Sequence, residues 1–145
     1  MEQKELYRAY LQIAVFCERV LQEADGVVSL IRVVDRFLVR GPTPEMGSHI
    51  LHFNIVVLFK SGFLRGKQKL HIRPLSPSRK DMPGIEVPVL FEGDEDRGNG
   101  TIAQMEFVVS EEGVHWFDVY LNDELVTRMP LRVLYQQIGT PIAGA

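Results

Sequence analysis

HILHFNIVVLFK, residues 49–60, decides the fold class. Leu51, Phe53, Ile55, Val57 and Phe59 make one unbroken apolar face, while His52, Asn54 and Lys60 fall on the other. A period of two is that of an extended strand, whose successive side chains point to opposite faces of a sheet. Ile50, Val56 and Leu58 interrupt the second face, so that side is expected to be partly covered. The same period recurs on both sides of this stretch. TIAQMEFVVS (101–110) sets Ala103, Met105, Phe107 and Val109 against Gln104, Glu106 and Ser110, and KLHIR (69–73) opposes Leu70 and Ile72 to Lys69, His71 and Arg73. Further strands are expected at 85–92, 114–121 and 125–135. VVSLIRVVDRFLV (27–39) is rich in β-branched residues and reads as one central strand.

Turn-forming residues separate these runs. Asp25-Gly26, SGFLRG (61–66), LSPSRKDMPG (75–84) and LNDE (121–124) all fall between them, and GPTPEMGS (41–48) reads as a loop. No internal repeat or linker divides the chain. One domain over 1–138 is expected, followed by a flexible tail at 139–145. The spacing predicts an all-β fold, an antiparallel sandwich of about seven to nine strands with little helix. The first 24 residues are ambiguous. Leu6, Tyr10, Ile13, Cys17, Val20, Leu21 and Ala24 follow helical spacing up to a stop at Gly26, yet LQIAVFC (11–17) also alternates as a strand.

The totals narrow the function classes. The 145 residues are 46% hydrophobic and 24% charged, with a net charge of −3. A nucleic-acid binder needs a basic surplus to displace counterions from phosphates, and none is evident here. Cys17 is the single cysteine, which excludes an intramolecular disulfide and cysteine-rich zinc sites. The opening MEQKELYRAY lacks the order of a secretory signal, and no apolar run approaches the roughly 20 residues of a membrane span. A cytoplasmic protein is expected.

AVFCERVLQEADGVVSLIRVVDRF (14–37) and EEGVHWFDVYLNDELVTRMPLRV (111–133) resemble a bacterial family of small uncharacterised proteins. Its pattern is an early apolar–Cys–acidic stretch, a Gly-containing turn, a strand ending near Asp-Arg, and a closing hairpin with an acidic turn. The resemblance implies an immunoglobulin-like β-sandwich, without an established activity or catalytic residues. It favours a strand at 10–17 with at most a short helical turn at 18–24. His115 departs from the pattern, standing where an aromatic is more usual.

Residue by residue, candidate chemistry is thin. In GDEDRGNG (93–100), Asp94 and Asp96 match the first two ligands of an EF-hand loop. Gly98, Asn99 and Met105 then occupy positions that need an oxygen ligand, a glycine and a bidentate glutamate. A looser calcium site would have to borrow Asp81 or Asp123; a solvated loop is the simpler reading. His49 and His52 lie on opposite faces of their strand, so they cannot clamp a metal. Cys17 sits in an apolar run, and no serine lies in a nucleophile elbow. Asp35 shares a face with Ile31, Val33 and Phe37, where a buried carboxylate would need a partner; a structural ion pair is preferred to a functional acid. No enzyme activity, cofactor or metal is therefore expected.

Surfaces offer more. If Phe117, Val119 and Leu121 face the core, Trp116, Asp118 and Tyr120 face outward. A three-residue turn centred on Asp123 then sets Asp118 opposite Arg128 and Trp116 opposite Pro130. Trp116 and Tyr120 beside Arg128 and Arg132 are the residue types that dominate interaction hot spots. Phe63 and Leu64, in the SGFLRG turn, form a second candidate anchor. The expected function is a protein-interaction or accessory module, a subunit of a larger assembly or a self-associating protein. A glycan or small-ligand binder using Trp116 and Tyr120 as a stacking platform comes next, then a calcium-dependent membrane-surface domain.

Overall fold

The computed structural model describes residues 8–139, and among these nine strands follow one another without a helix. They are β1 (Tyr10–Gln22), β2 (Val28–Val34), β3 (Arg36–Gly41), β4 (His49–Lys60), β5 (Arg65–Leu75), β6 (Ile85–Glu92), β7 (Gly98–Val109), β8 (Gly113–Leu121) and β9 (Glu124–Gln137). One sheet runs β2-β1-β4-β7 and the other β3-β9-β8-β5-β6. Every pairing is antiparallel except that of β3 with β9.

The alternation of β4 does the work expected of it. Leu51, Phe53, Ile55, Val57 and Phe59 are all buried. With Phe107 of the adjacent β7 in the same sheet, they meet Phe117 on β8 across the gap between the sheets. Phe107 and Phe117 have ring centroids 4.9 Å apart, and Phe16 on β1 sits 5.0 Å from Phe117. Each such phenylalanine taken fully from water contributes roughly 1.5–3 kcal/mol. The second face of β4 is partly covered as expected: Val56 is buried between Val15 and Ile102 of the neighbouring strands, whereas Ile50 is exposed.

Three expectations are corrected. The run 27–39 is not one central strand but two edge strands in different sheets. The chain leaves the first sheet after Val34 and enters the second at Arg36. Arg32, with φ 57, bends the strand before the crossing, and the Arg132 amide donates to the Asp35 carbonyl at 3.0 Å to start the parallel ladder. A strand that changes sheets closes a corner of a sandwich. Propensity does not register this, because β-branched residues suit an edge as well as a centre. Asp35, at the crossing, is consequently exposed and pairs with Arg36 at 3.0 Å; that hydrogen bond and the guanidinium charge hold its carboxyl below the ordinary range. The premise of a buried acid does not hold.

Second, residues 18–24 form no helical turn. β1 runs on to Gln22, with Leu21 facing Ser29 and Gln22 facing Val28, and Gly26 (φ 85) turns the hairpin. Pairing along a whole hairpin outweighs helical spacing that has no second apolar surface to cover. Third, the β8–β9 turn has two residues, Asn122 and Asp123, not three. A register shift between Val119 and Tyr120 absorbs the difference, so Asp118 still faces Arg128 and Trp116 still faces Pro130. Of the tail expected at 139–145, all but Gly139 lies outside the described residues, as does Leu6.

Candidate functional site

Strand β8 separates its residues by parity. Phe117 and Val119 are fully buried in the core, and Trp116, Asp118 and Tyr120 point to the outer face of the five-stranded sheet. There they fall into three cross-strand rows. Pro130, Trp116 and Leu75 make one row; Arg128, Asp118 and Arg73 make the next; Tyr120 and His71 begin the third.

The middle row organises the surface. Asp118 is only 6% exposed although it lies on an outer face. A carboxylate so placed is costly unless paired. Arg128 donates through Nε to its Oδ1 at 2.6 Å, and Arg73 flanks it from the other strand. Arg73 is itself held by Asp81, which accepts from its Nε at 2.6 Å. Asp81, and after it the Tyr120 hydroxyl, push the Arg73 guanidinium up from its ordinary value. With Arg128 fixed from below, its guanidinium lies over the Trp116 ring, 4.6 Å from the centroid. Cation and ring attract through the ring quadrupole. Trp116 is thus outward and half-buried, and Arg128 covers it. In the third row the Tyr120 and His71 rings stack 6.0 Å apart.

Beside Trp116 lies a depression of about 340 Å³, lined by Leu75, Ser76, Pro77, Arg79, Trp116 and Arg128 among others. Arg132 stands one row along from Trp116, between Val114 of β8 and Arg36 of β3. Four of the six candidate residues, Trp116, Tyr120, Arg128 and Arg132, therefore share one face. Phe63 and Leu64 do not join them. Leu64 folds back onto the core beside Leu121 and Leu125, at the hairpin end of β8, and Phe63 stays exposed at the turn.

Sequence reasoning missed Arg73, His71 and Arg79, and it missed that Asp118 would be buried. The β8–β9 hairpin is local, so its partners lie within reach of a count even though turn length and register shift had to offset each other. The pairing of β8 with β5 joins segments about forty residues apart, and only that pairing brings Arg73 beside Asp118.

The remaining candidates are occupied elsewhere. Arg97 donates to Glu92 at 2.8 Å and lies 3.6 Å from Asp94, and the Ser61 hydroxyl donates to the Asp94 carbonyl at 2.7 Å. Asp81 belongs to Arg73, and Asp123 lies 2.9 Å from Lys69. Among the described residues no group of three or more His, Cys, Asp and Glu could hold a metal ion. Nor is any helix there long and apolar enough to cross a membrane. Cys17 is fully buried within β1, and burial pushes its thiol up, away from the reactive thiolate. His115 is 1% exposed, packed edge-on against Phe107 with Nδ1 unpartnered, and burial pushes its imidazole below the ordinary value.

Fold and face together define an all-β two-sheet sandwich with an aromatic and arginine-rich outer sheet surface. The chain belongs to the family of unknown function DUF6941, whose profile matches residues 12–134. Among solved structures it is similar to an immunoglobulin-like protein from Pseudomonas aeruginosa, at 15% identity and a TM-score of 0.44, over 88% of this chain and 98% of that one. No curated protein matches it.

Proposed function

We propose that this chain is a non-catalytic protein-interaction module, one subunit of a larger bacterial assembly in the cytoplasm, that docks a partner through the outer face of its five-stranded sheet. The carrying observation is the stack of Asp118, Arg128 and Trp116: a nearly buried acid fixes an arginine, and the arginine holds a half-exposed tryptophan. Side chains held this way lose little rotamer freedom on binding, which leaves more of the contact energy for affinity. Cys17 and His115 are sealed in the interior, whereas the face carries residue types that bind.

The glycan reading has less support. Arg128 occupies one face of Trp116 and His71 one face of Tyr120, and these are surfaces on which a sugar ring would stack. The calcium-dependent reading is weakened by arginine and lysine pairing with the loop acids.

The test is Trp116→Ala in the full chain, read by co-purifying partners, oligomer size and denaturation. Loss of partner or oligomer with a stability change of roughly 1–2 kcal/mol supports the proposal. An unchanged partner set and oligomeric state, with several kcal/mol lost, would make Trp116 a packing residue and remove it.

A further inference from the structure

The chain as a whole is acidic, at −3, but its charge is unevenly placed. Strands β3, β5, β6, β8 and β9 carry eight Lys and Arg against four Asp and Glu. Strands β1, β2, β4 and β7 carry three against two. Arg36, Arg40, Lys69, Arg73, Arg128 and Arg132 alternate with core-facing positions and so point outward.

Not all of them are neutralised. Arg128 has Asp118, Arg73 has Asp81, Lys69 has Glu86 and Asp123, and Arg36 has Asp35. Around Trp116, Arg132 of this set and Arg79 of the loop between β5 and β6 are left over. Arg132 and Arg79 have no ion-pair partner among the described residues, and they lie on opposite sides of the tryptophan. Between them run Pro130, Trp116 and Leu75, an apolar row one side chain deep.

We infer that the partner docking on this face is an acidic polypeptide segment, whose carboxylates meet Arg79 and Arg132 while an apolar side chain enters the depression beside Trp116. The inference rests on the docking role proposed above and names the chemistry of what docks. Arginine suits it, because its planar fork takes a carboxylate through two parallel N–H bonds. Complementary charge also speeds encounter and rejects basic partners. A second copy meeting this one through the same face is disfavoured, since a two-fold axis would bring the cationic faces together. Nucleic acid is disfavoured too. Asp118, Asp81 and Glu86 interrupt the positive field, and stacked neighbours already occupy faces of Trp116 and Tyr120.

The experiment titrates the full chain with three probes: a labelled Glu-rich peptide with a central Leu, the same peptide with Gln for Glu, and a single-stranded RNA of equal charge. Anisotropy of the label reports binding, and Trp116, the single tryptophan of the chain, reports through its own emission. The Glu peptide should bind saturably and shift the emission, and added salt should weaken it. The Gln peptide should not bind. Arg79→Glu combined with Arg132→Glu should weaken Glu-peptide binding at least about tenfold with the melting temperature unchanged, since both side chains are exposed and unpaired. Failure of the Glu peptide to bind, equal binding of the Gln peptide, tighter binding of RNA, or indifference to the double reversal would each overturn the inference. If Trp116→Ala abolishes binding and the reversal does not, the docking face stands and the acidic partner falls. If neither change matters, both fall.

Discussion

Asp118 and Arg128 stand directly opposite each other on β8 and β9, with 2.6 Å between the carboxylate Oδ1 and the guanidinium Nε. The pair is lopsided: the acid's side chain is 9% exposed and the arginine's 45%. The two ends should therefore respond differently to mutation. Asp118→Asn keeps the shape and leaves an arginine that can turn to water, so it should cost about 1 kcal/mol. Arg128→Ala strands a buried carboxylate and strips the cover from Trp116, and should cost about 2–3 kcal/mol. The double variant should cost less than the two together by about 1 kcal/mol. Chemical denaturation of the four proteins checks this, and equal single costs would show that burial of the acid is not what matters.

His115 makes stability depend on pH. Burial lowers its folded pKa below the ordinary value of about 6.5 that the unfolded chain retains. Above that value the imidazole is neutral in both states and the packing against Phe107 contributes in full. As pH falls, the unfolded chain takes up a proton that the folded chain refuses, so stability is lost until the folded pKa is passed. The unfolding free energy should fall as pH drops from 7.5 to 5.5, by up to about 1.4 kcal/mol per pH unit. His115→Phe fits the same aromatic slot and should flatten the profile over that range. A profile unchanged by the substitution would assign the dependence to other groups.

Phe107 tests the core itself. It is 3% exposed, and its ring lies within 6.1 Å of Phe53, Phe117 and His115. Phe107→Ala should cost roughly 3–5 kcal/mol, the transfer of the ring plus the cavity it leaves. The denaturant slope should stay constant, because the surface exposed on unfolding barely changes. A loss below about 1 kcal/mol would place Phe107 outside the core.

The same residues show how far the sequence could be read. Phe107 is buried because every second residue of its strand is apolar, and that period survives whatever the neighbouring strand turns out to be. The inner faces of β4, β7, β8 and β9 were legible for this reason. Segment 27–39 was not, because composition gives the preference for extended backbone and is silent on the sheet in which it is spent. The face around Trp116 was half legible. Arg128 and Pro130 lie across a local hairpin, where the count came out right because the register shift offsets the shorter turn, whereas Arg73 and His71 arrive through β5, and no local pattern announces that pairing.

Asn122 and Asp123 make the last prediction, in which neighbours in one turn have opposite signs. Both have left-handed backbone, with φ 51 and 65, as a two-residue hairpin with the right-handed strand twist requires. Asn122 is fitted to its place: its side-chain oxygen accepts from the Lys69 amide at 2.8 Å, and its own amide donates to the Lys69 carbonyl at 2.8 Å. Asn122→Ala should lose the side-chain bond and add backbone strain, costing about 1–2 kcal/mol. Asp123 contributes only an exposed pair with Lys69, which Glu86 also serves at 3.5 Å. Asp123→Gly gives up that weak pair and relieves the left-handed backbone, for a net gain of about 0.5 kcal/mol. The hairpin places Trp116 opposite Pro130, so a turn that settles more firmly should also hold the aromatic face more rigidly. Thermal melts of the two variants decide the matter: destabilisation by Asp123→Gly comparable to that of Asn122→Ala would show that the Lys69 pair, not the backbone, governs the turn.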